Sequence, residues 1–354
     1  MSEQFTRAAQ SAANAGLARR VTDWQREHGR HGLPWQDQRE PYRVWLSEIM
    51  LQQTQVTTVL AYYSRFLERF PDVAALAAAA PDEVLAAWSG LGYYSRARNL
   101  HRCAQVVMAE HGGRFPNSAE QLAALPGIGR STAAAIAAFC FDERAAILDG
   151  NVKRVLTRVL GNGCDLSEAA HERTLWRQAC ELLPPANADM PAYTQGLMDL
   201  GATVCLARRP SCLVCPLQAL CIARREGRPE AYPVKTRKPA RGARENWWLW
   251  LEHAGAVWLQ QRPATGVWAG LWSLPLFDDE AALRSAAQAL GVTPEPQASI
   301  QHALTHFDWR LHPHRALLPK SSEVQARLGP GRWIGRGDLH TCGMPAPLKK
   351  LLAP

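Results

Sequence analysis

No stretch of this 354-residue chain is apolar for long enough to cross a bilayer. The longest candidates, VAALAAAA at 73–80 and TAAAIAAFCF at 132–141, fall short of the ~20 residues that a membrane helix needs. The first residues, MSEQFTRAAQSAANAGLARR, lack the apolar core of a signal peptide and read as a flexible tail over 1–20. A cytoplasmic protein is expected, and disulfides are rare there. The cysteine count is odd, at nine, which argues further against a full disulfide framework. Internal repeats are missing, and no low-complexity tract stands out beyond Ala-rich helices. Acidic residues are in deficit, 32 against 40 basic ones, for a net charge of +8. That balance suits an acidic partner, or a basic surface without one. What remains is ordinary for a soluble protein of about two domains: 47 % hydrophobic and 20 % charged residues, enough for a real core.

From Val21 to about Ala223 the text is helical, with amphipathic blocks broken at Pro, Gly or Asp. Asp82 and Ser118 stand where helix N-caps belong. Residues 224–245 hold eight Arg or Lys against three Glu, with three prolines, and read as a basic linker, either a solvated tether or a strap along DNA. After Asn246 the pattern turns strand-like. NWWLWLE, a turn at HAGA and VWLQQR form a hairpin pattern, and HFDWRLHPHRALL partly alternates. Eight of the thirteen tryptophans lie beyond residue 246, so 246–354 is a folded α+β domain.

Three stretches carry chemistry. CLARRPSCLVCPLQALC places Cys205, Cys212, Cys215 and Cys221 within seventeen residues. Four thiolates suit zinc or an iron–sulfur cluster, and the spacing alone leaves both open. LAALPGIGRSTAAAIAAF reads as helix, tight turn, helix. Gly127 and Gly129 allow positive φ and a close approach. The free N–H groups at the second helix start, with Arg130, form a ready anion site, and Ile128 plugs the gap between the helices. This is the pattern of a helix–hairpin–helix that grips phosphate without reading sequence. Third come the carboxylates. Asp149 follows the apolar run 145–148 and is a helix cap, which does not preclude catalysis. Glu48 lies on or beside an apolar stripe of Val44, Trp45 and Leu51. It either reaches solvent at the edge or is buried, with a raised pKa that makes it an acid near neutral pH.

Taken together, WLSEIMLQQTQV, GLGYYSRARNL, LPGIGRSTA, ILDGNVKRVL, MDLGATVC and the Cys-x6-Cys-x2-Cys-x5-Cys run resemble the endonuclease III superfamily, and within it the MutY-type adenine DNA glycosylases. The resemblance is specific over Trp24–Cys221 and weaker beyond. It implies a mainly α helix-hairpin-helix glycosylase domain over 21–223 with a [4Fe–4S] loop at 205–221, and a Nudix-like 8-oxoguanine-recognition domain over 246–354. The four cysteines become the cluster ligands. The implied substrate is double-stranded DNA with adenine opposite 8-oxoguanine or guanine. The enzyme is expected to act as a monomer, near the nucleoid of a bacterial cell.

By the same resemblance, Glu48 protonates the flipped adenine, Asp149 stabilises the oxocarbenium sugar, and Asn151 positions Asp149 or the sugar. Ser131, Gln195 and Trp35 are base-pocket candidates. Gln52, Gln53 and Thr54 enter the gap in the duplex, and Tyr93 is the wedge between bases, unless it and Tyr94 simply pack. Gly127, Gly129, Arg130 and Lys153 are further DNA contacts. Thr305 and His306 read 8-oxoguanine, in a loop where Leu304 replaces the family's Phe. Lyase-active relatives carry a Lys where this chain has Ser131, so a monofunctional enzyme is expected. The stretch after Pro275 lacks the Glu-rich helix of a working Nudix hydrolase, so no pyrophosphatase activity is expected. A pyrimidine-specific glycosylase and a non-catalytic iron–sulfur DNA-binding protein are the competing readings. Ser131 and the C-terminal domain disfavour the first, the carboxylate pair the second.

Overall fold

The computed structural model describes residues 16–234, 236, 241–320 and 323–353. Its helices are α1 (16–28), α2 (Pro41–Leu51), α3 (Val56–Arg69), α4 (Val73–Ala78), α5 (Pro81–Ala87), α6 (Ser95–His111), α7 (Ala119–Ala123), α8 (Arg130–Phe141), α9 (Gly150–Leu160), α10 (Ala169–Glu181), α11 (Met190–Asp199), α12 (Ile222–Arg225), α13 (Glu280–Ala289), α14 (Val324–Leu328) and α15 (Ala346–Leu352). No helix among the described residues is long and apolar enough to cross a membrane. The chain divides into two compact units, Met1–Gln55 with Val106–Lys238 and Val56–Gln105 with Pro239–Pro354. The part of the expected tail that precedes residue 16 lies outside the described residues.

In the first unit α2 starts because Pro41 fits the first helical position and Glu40 caps it, accepting from the N–H groups of Tyr42 and Arg43. Tyr42, Val44, Trp45, Leu46, Ile49 and Met50 are buried, which fixes the helix in rotation and so fixes Glu48. The hairpin forms as the sequence indicates. Ser118 caps α7 through Gln121 N–H, and Leu122, Leu125 and Ile128 are all buried between the helices. Gly127 takes φ +78°, a left-handed conformation that favours glycine. Gly129 does not; its φ is −82°. A Cβ there would meet nothing within 4 Å, so the fold itself does not require glycine at this position. A continuous apolar core joins α1, α8, α9, α10 and α11 through Val21, Ala135, Leu156, Leu175 and Leu197.

Within the expected linker, several residues of 224–234, and Thr236, make specific contacts. Buried Tyr232 bonds Glu226, Glu230 accepts from Arg209 N–H, and Thr236 donates to Asp165. Residues 237–240 lie outside the described residues.

The second unit is built on a mixed sheet of β1 (Gly242–His253), β2 (Ala256–Gln261), β3 (Trp272–Ser273), β4 (Leu276–Phe277), β5 (Glu295–Pro296), β6 (Ile300–Ala303), β7 (Phe307–Leu317) and β8 (Arg332–Gly335), with the path β3-β2-β1-β7-β5. The β1–β2 hairpin is as expected, closed by Ala254 and Gly255, both at positive φ. Strand β1 starts four residues before Asn246 and pairs in parallel with β7 from Gly242↔Phe307 to Glu252↔Leu317. Leu283 and Ala287 of α13 cover the sheet against Leu249, Leu251 and Ala316.

Residues 56–105 join this sheet instead of the other helices, a division that the sequence pattern conceals. Ser89 Oγ and Tyr94 Oη both donate to Met344 O, at 3.0 and 2.9 Å, and Arg98 donates to Ala269 O at 2.8 Å. Asp82 is not the expected N-cap. Ala80 occupies that position ahead of Pro81, and Asp82 accepts instead from Trp272 Nε1 at 3.2 Å, with Gln261 and Arg332 at 3.3 and 3.4 Å. Asp82→Ala strips the partner from the buried Trp272 indole. It should destabilise this unit by about 1–3 kcal/mol, seen as a lower thermal midpoint; an unchanged midpoint would show the contact to be idle.

Candidate active site and nucleic-acid interface

Glu48 is only partly exposed, and it lines a pocket of about 450 Å³ together with Trp35, Ser47, Phe139, Ala192 and Gln195. Burial raises its pKa from 4.5 to about 8, and the nearby charge of Asp149 acts in the same direction. The carboxyl therefore holds its proton near neutral pH. Asp149 caps α9, its Oδ1 accepting from Val152 N–H at 2.7 Å. Burial raises its pKa too, opposed by the N–H groups of Val152 and Asn151 and by Arg154 and Lys153. Two carboxyls in unlike surroundings thus divide into a proton donor and a group with several partners for its anion.

Ser131 does not line the pocket. Its Oγ accepts from Leu148 N–H at 2.9 Å, tying the start of α8 to the residue before Asp149. The Asn151 side chain accepts from Arg154 Nη2 at 2.9 Å, and α9 there lies so close to Gly201 that a Cβ on the glycine would come within 2.5 Å of Asn151 Cβ. Trp35 is buried in the pocket wall, and Gln195 donates to Asp199 at 2.9 Å. Lys153 is ion-paired with Glu172.

Beyond α2 the chain turns sharply. Gln53 is exposed at φ +57°, Gln52 donates to Thr132 at 3.4 Å, and the Thr54 hydroxyl donates to Gln52 O. Exposed Arg130 at the start of α8 stacks over Trp176, 4.0 Å from the ring centroid. In the second unit Tyr93 and Tyr94 separate cleanly. Tyr94 is buried, whereas Tyr93 is 45 % exposed at φ +48°. Tyr93 Oη lies 3.2 Å from Thr305 Oγ1, 212 residues away in sequence. Thr305 and His306 sit exposed in the turn between β6 and β7.

Cys205, Cys212, Cys215 and Cys221 line one pocket with Val155, Val204 and Leu217. No three described His, Cys, Asp or Glu side chains come close enough to share one metal ion. Four soft thiol donors around one otherwise apolar pocket are a donor set that suits a thiolate-bound metal group, zinc or iron–sulfur. Burial and the neighbouring thiols push Cys215 up to about 11, an environment in which a bound cation would supply the missing counter-charge. Sequence reasoning missed the clasp on this loop. Arg158 is fully buried in α9 and donates to Leu206 O at 2.7 Å, Ala207 O at 3.1 Å, Tyr232 O at 3.2 Å and Cys205 Sγ at 3.3 Å. Its one sequence signal is a charge on the apolar side of α9.

Residues 46–179 match the HhH-GPD superfamily base excision DNA repair protein, and residues 246–354 match the NUDIX domain. A solved thermostable thymine-DNA glycosylase is similar with a TM-score of 0.54 at 26 % identity, over 62 % of this chain and 98 % of that one. A trapped endonuclease III–DNA covalent intermediate shares the fold, with a TM-score of 0.50 at 21 % identity over 62 % and 98 % of the two chains. Fold and site therefore define a helix-hairpin-helix DNA glycosylase with a Nudix-like C-terminal domain.

Over nearly the whole length, the adenine DNA glycosylase of Buchnera aphidicola subsp. Acyrthosiphon pisum (strain APS) is 36 % identical across 335 residues, 94 % of this chain and 95 % of that one. The Homo sapiens adenine DNA glycosylase is 33 % identical across 386 residues, 90 % of this chain and 70 % of that one. The chain belongs to the adenine DNA glycosylase family. It is a base-excision-repair enzyme that binds DNA and hydrolyses the N-glycosyl bond of adenine.

A raised carboxyl pKa has a sign in stability. Folded protein binds the Glu48 proton more tightly than unfolded protein does, so Glu48 lowers stability progressively as pH rises from 4.5 to about 8. Glu48→Gln removes that penalty. The thermal midpoint of the variant minus that of the wild type should grow between pH 5 and pH 9; a constant difference would mean that Glu48 is solvated.

Proposed function

We propose that the enzyme removes adenine mispaired with 8-oxoguanine or guanine, as a monofunctional monomer that leaves an abasic site in bacterial genomic DNA. One observation carries this reading: a carboxyl that keeps its proton near neutral pH lines a pocket within the ~300–1,000 Å³ range of small-molecule sites, within electrostatic reach of a second carboxyl. Glu48 delivers its proton to adenine N7, which turns the base into a good leaving group. Asp149 then balances the positive charge that develops on the sugar. Asn151 and Ser131 act through Asp149: the first lies in the opening turn of its helix, the second holds the residue before it. Trp35 and Gln195 wall the flipped base.

Monofunctionality follows from what the chain offers a sugar aldehyde. Ser131 brings a hydroxyl already occupied by Leu148, and the Lys153 amine is held by Glu172. On the DNA side, Gly127, Gly129 and Arg130 face phosphate, Gln52, Gln53 and Thr54 enter the gap left by the base, and exposed Tyr93 is the wedge. Thr305 and His306 read 8-oxoguanine, with Leu304 in place of the family's aromatic. Cys205, Cys212, Cys215 and Cys221 hold a [4Fe–4S] cluster, which would order the basic loop carrying Arg208 and Arg209.

A labelled duplex with adenine opposite 8-oxoguanine, guanine or thymine, treated with alkali after incubation, tests the function. Cleavage at adenine in the first two, without a borohydride-trapped adduct as the main product, is the expected result. Glu48→Gln and Asp149→Asn should each lower excision by at least about 10²-fold while still binding mispaired duplex, and normal turnover in either would remove its assigned role. For the loop, protein purified without oxygen should be brown and contain iron; a colourless protein holding zinc would contradict the cluster assignment.

A further inference from the structure

Asp199 has no exposed surface, and no step proposed above uses its charge. Its carboxylate accepts three hydrogen bonds. Arg30 donates twice, from its backbone N–H to Oδ2 at 2.8 Å and from Nε to Oδ1 at 2.6 Å. Gln195 Nε2 donates to Oδ1 at 2.9 Å. Arg30 opens the loop that supplies His31, Trp35 and Gln36 to the pocket, and the Gln36 amide closes on it, donating to Arg30 O at 3.0 Å and accepting from Leu33 N–H at 3.1 Å. One buried charge therefore fixes a pocket loop and a pocket side chain together.

A carboxylate paired with a guanidinium offers only acceptors. It decides which end of the Gln195 amide faces it, namely the NH₂. Oε1 is then the polar atom that Gln195 has left for the pocket, and it has no hydrogen-bond partner among the described residues. An acceptor held in this way pairs with the 6-amino group of adenine. It meets the 6-oxo group of hypoxanthine, lone pair against lone pair. A free amide would discriminate poorly, because it can turn over and offer its NH₂ instead.

We propose that Asp199 is a positioning residue that makes the pocket selective for a 6-aminopurine over a 6-oxopurine by locking the Gln195 amide. The proposal rests on this pocket being the one that receives the base. A purely structural Asp199 would change stability or overall rate but leave the ratio between two bases of the same size untouched.

The test measures single-turnover excision of adenine and of hypoxanthine, each opposite 8-oxoguanine, by wild-type protein, Asp199→Asn and Gln195→Met. In the first variant the new side-chain amide presents both donor and acceptor, so the Gln195 amide can turn. In the second the thioether offers the base no amide at all, and the Arg30–Asp199 pair stays intact. The adenine-to-hypoxanthine rate ratio should fall at least about tenfold in both variants. Circular dichroism and thermal melts establish that each is folded. If Asp199→Asn does not fold, Gln195→Met decides: a collapsed ratio supports the proposal and an unchanged one overturns it. An unchanged ratio in a folded Asp199→Asn overturns it as well. Failure of the underlying pocket assignment looks different, since the wild type would then remove neither base, or Glu48→Gln would remove adenine at the wild-type rate.

Discussion

Taking a carboxyl group out of water beside a second one is unfavourable, and the helical unit concentrates that cost on Glu48. Everything else in the candidate site follows from how the chain holds the arrangement in place. Helix α2 is fixed in rotation by Trp45, Leu46, Ile49 and Met50, which sets the face on which Glu48 stands. Helix α9 presents Asp149 at its N-terminus, where backbone N–H groups give its anion the partners that Glu48 lacks. Ser131 joins α8 to the residue before Asp149, so the hairpin proposed to grip phosphate and the carboxylate proposed to meet the sugar share one rigid connection.

The rest of the first unit reads as support for that pair. Arg158 makes four hydrogen bonds to the cysteine loop and Tyr232, from the same helix whose first turn carries Asp149. Gly201 has no room for a side chain against Asn151, which holds the segment leading to Cys205 against α9. Buried Asp199 does for the pocket wall what Ser131 does for Asp149. Each is a polar residue whose role is to orient another. In the second unit the Tyr93–Thr305 hydrogen bond joins two residues that the sequence offers only as separate candidates.

Much of this was legible in the residues, and the reasons differ from place to place. The hairpin is readable because Leu-Pro-Gly-Ile-Gly between helices leaves the backbone few choices, although only Gly127 of its two glycines takes a positive φ. The β1–β2 hairpin was readable because its turn and its alternation agree. Asp149 as a cap followed from Gly-Asn-Val-Lys after an apolar run. Periodicity failed to decide for Glu48, since an edge position and a half-buried one look alike until neighbouring helices close over them. Asp82 misleads because Pro81 begins the helix two residues earlier than a cap at the carboxylate implies. By pattern residues 56–105 belong to one helical domain, because helical periodicity says nothing about which partner a helix packs on. Arg158 and Asp199 carry almost no signal: a buried charge is recognisable only by its partners, and the arginine of Asp199 lies 169 residues away in sequence, the cysteine loop held by Arg158 47 or more.

The central claim concerns one proton, and a direct titration reaches it. With ¹³C in the glutamate side chains, Glu48 can be identified by its absence in Glu48→Gln and followed by carboxyl chemical shift from about pH 4 to about pH 10, a range that brackets both its ordinary and its raised value. The account predicts a midpoint near 8 in the wild type, moving down when Asp149 is replaced by Asn. A Glu48 midpoint near 4.5, indifferent to Asp149, would contradict it.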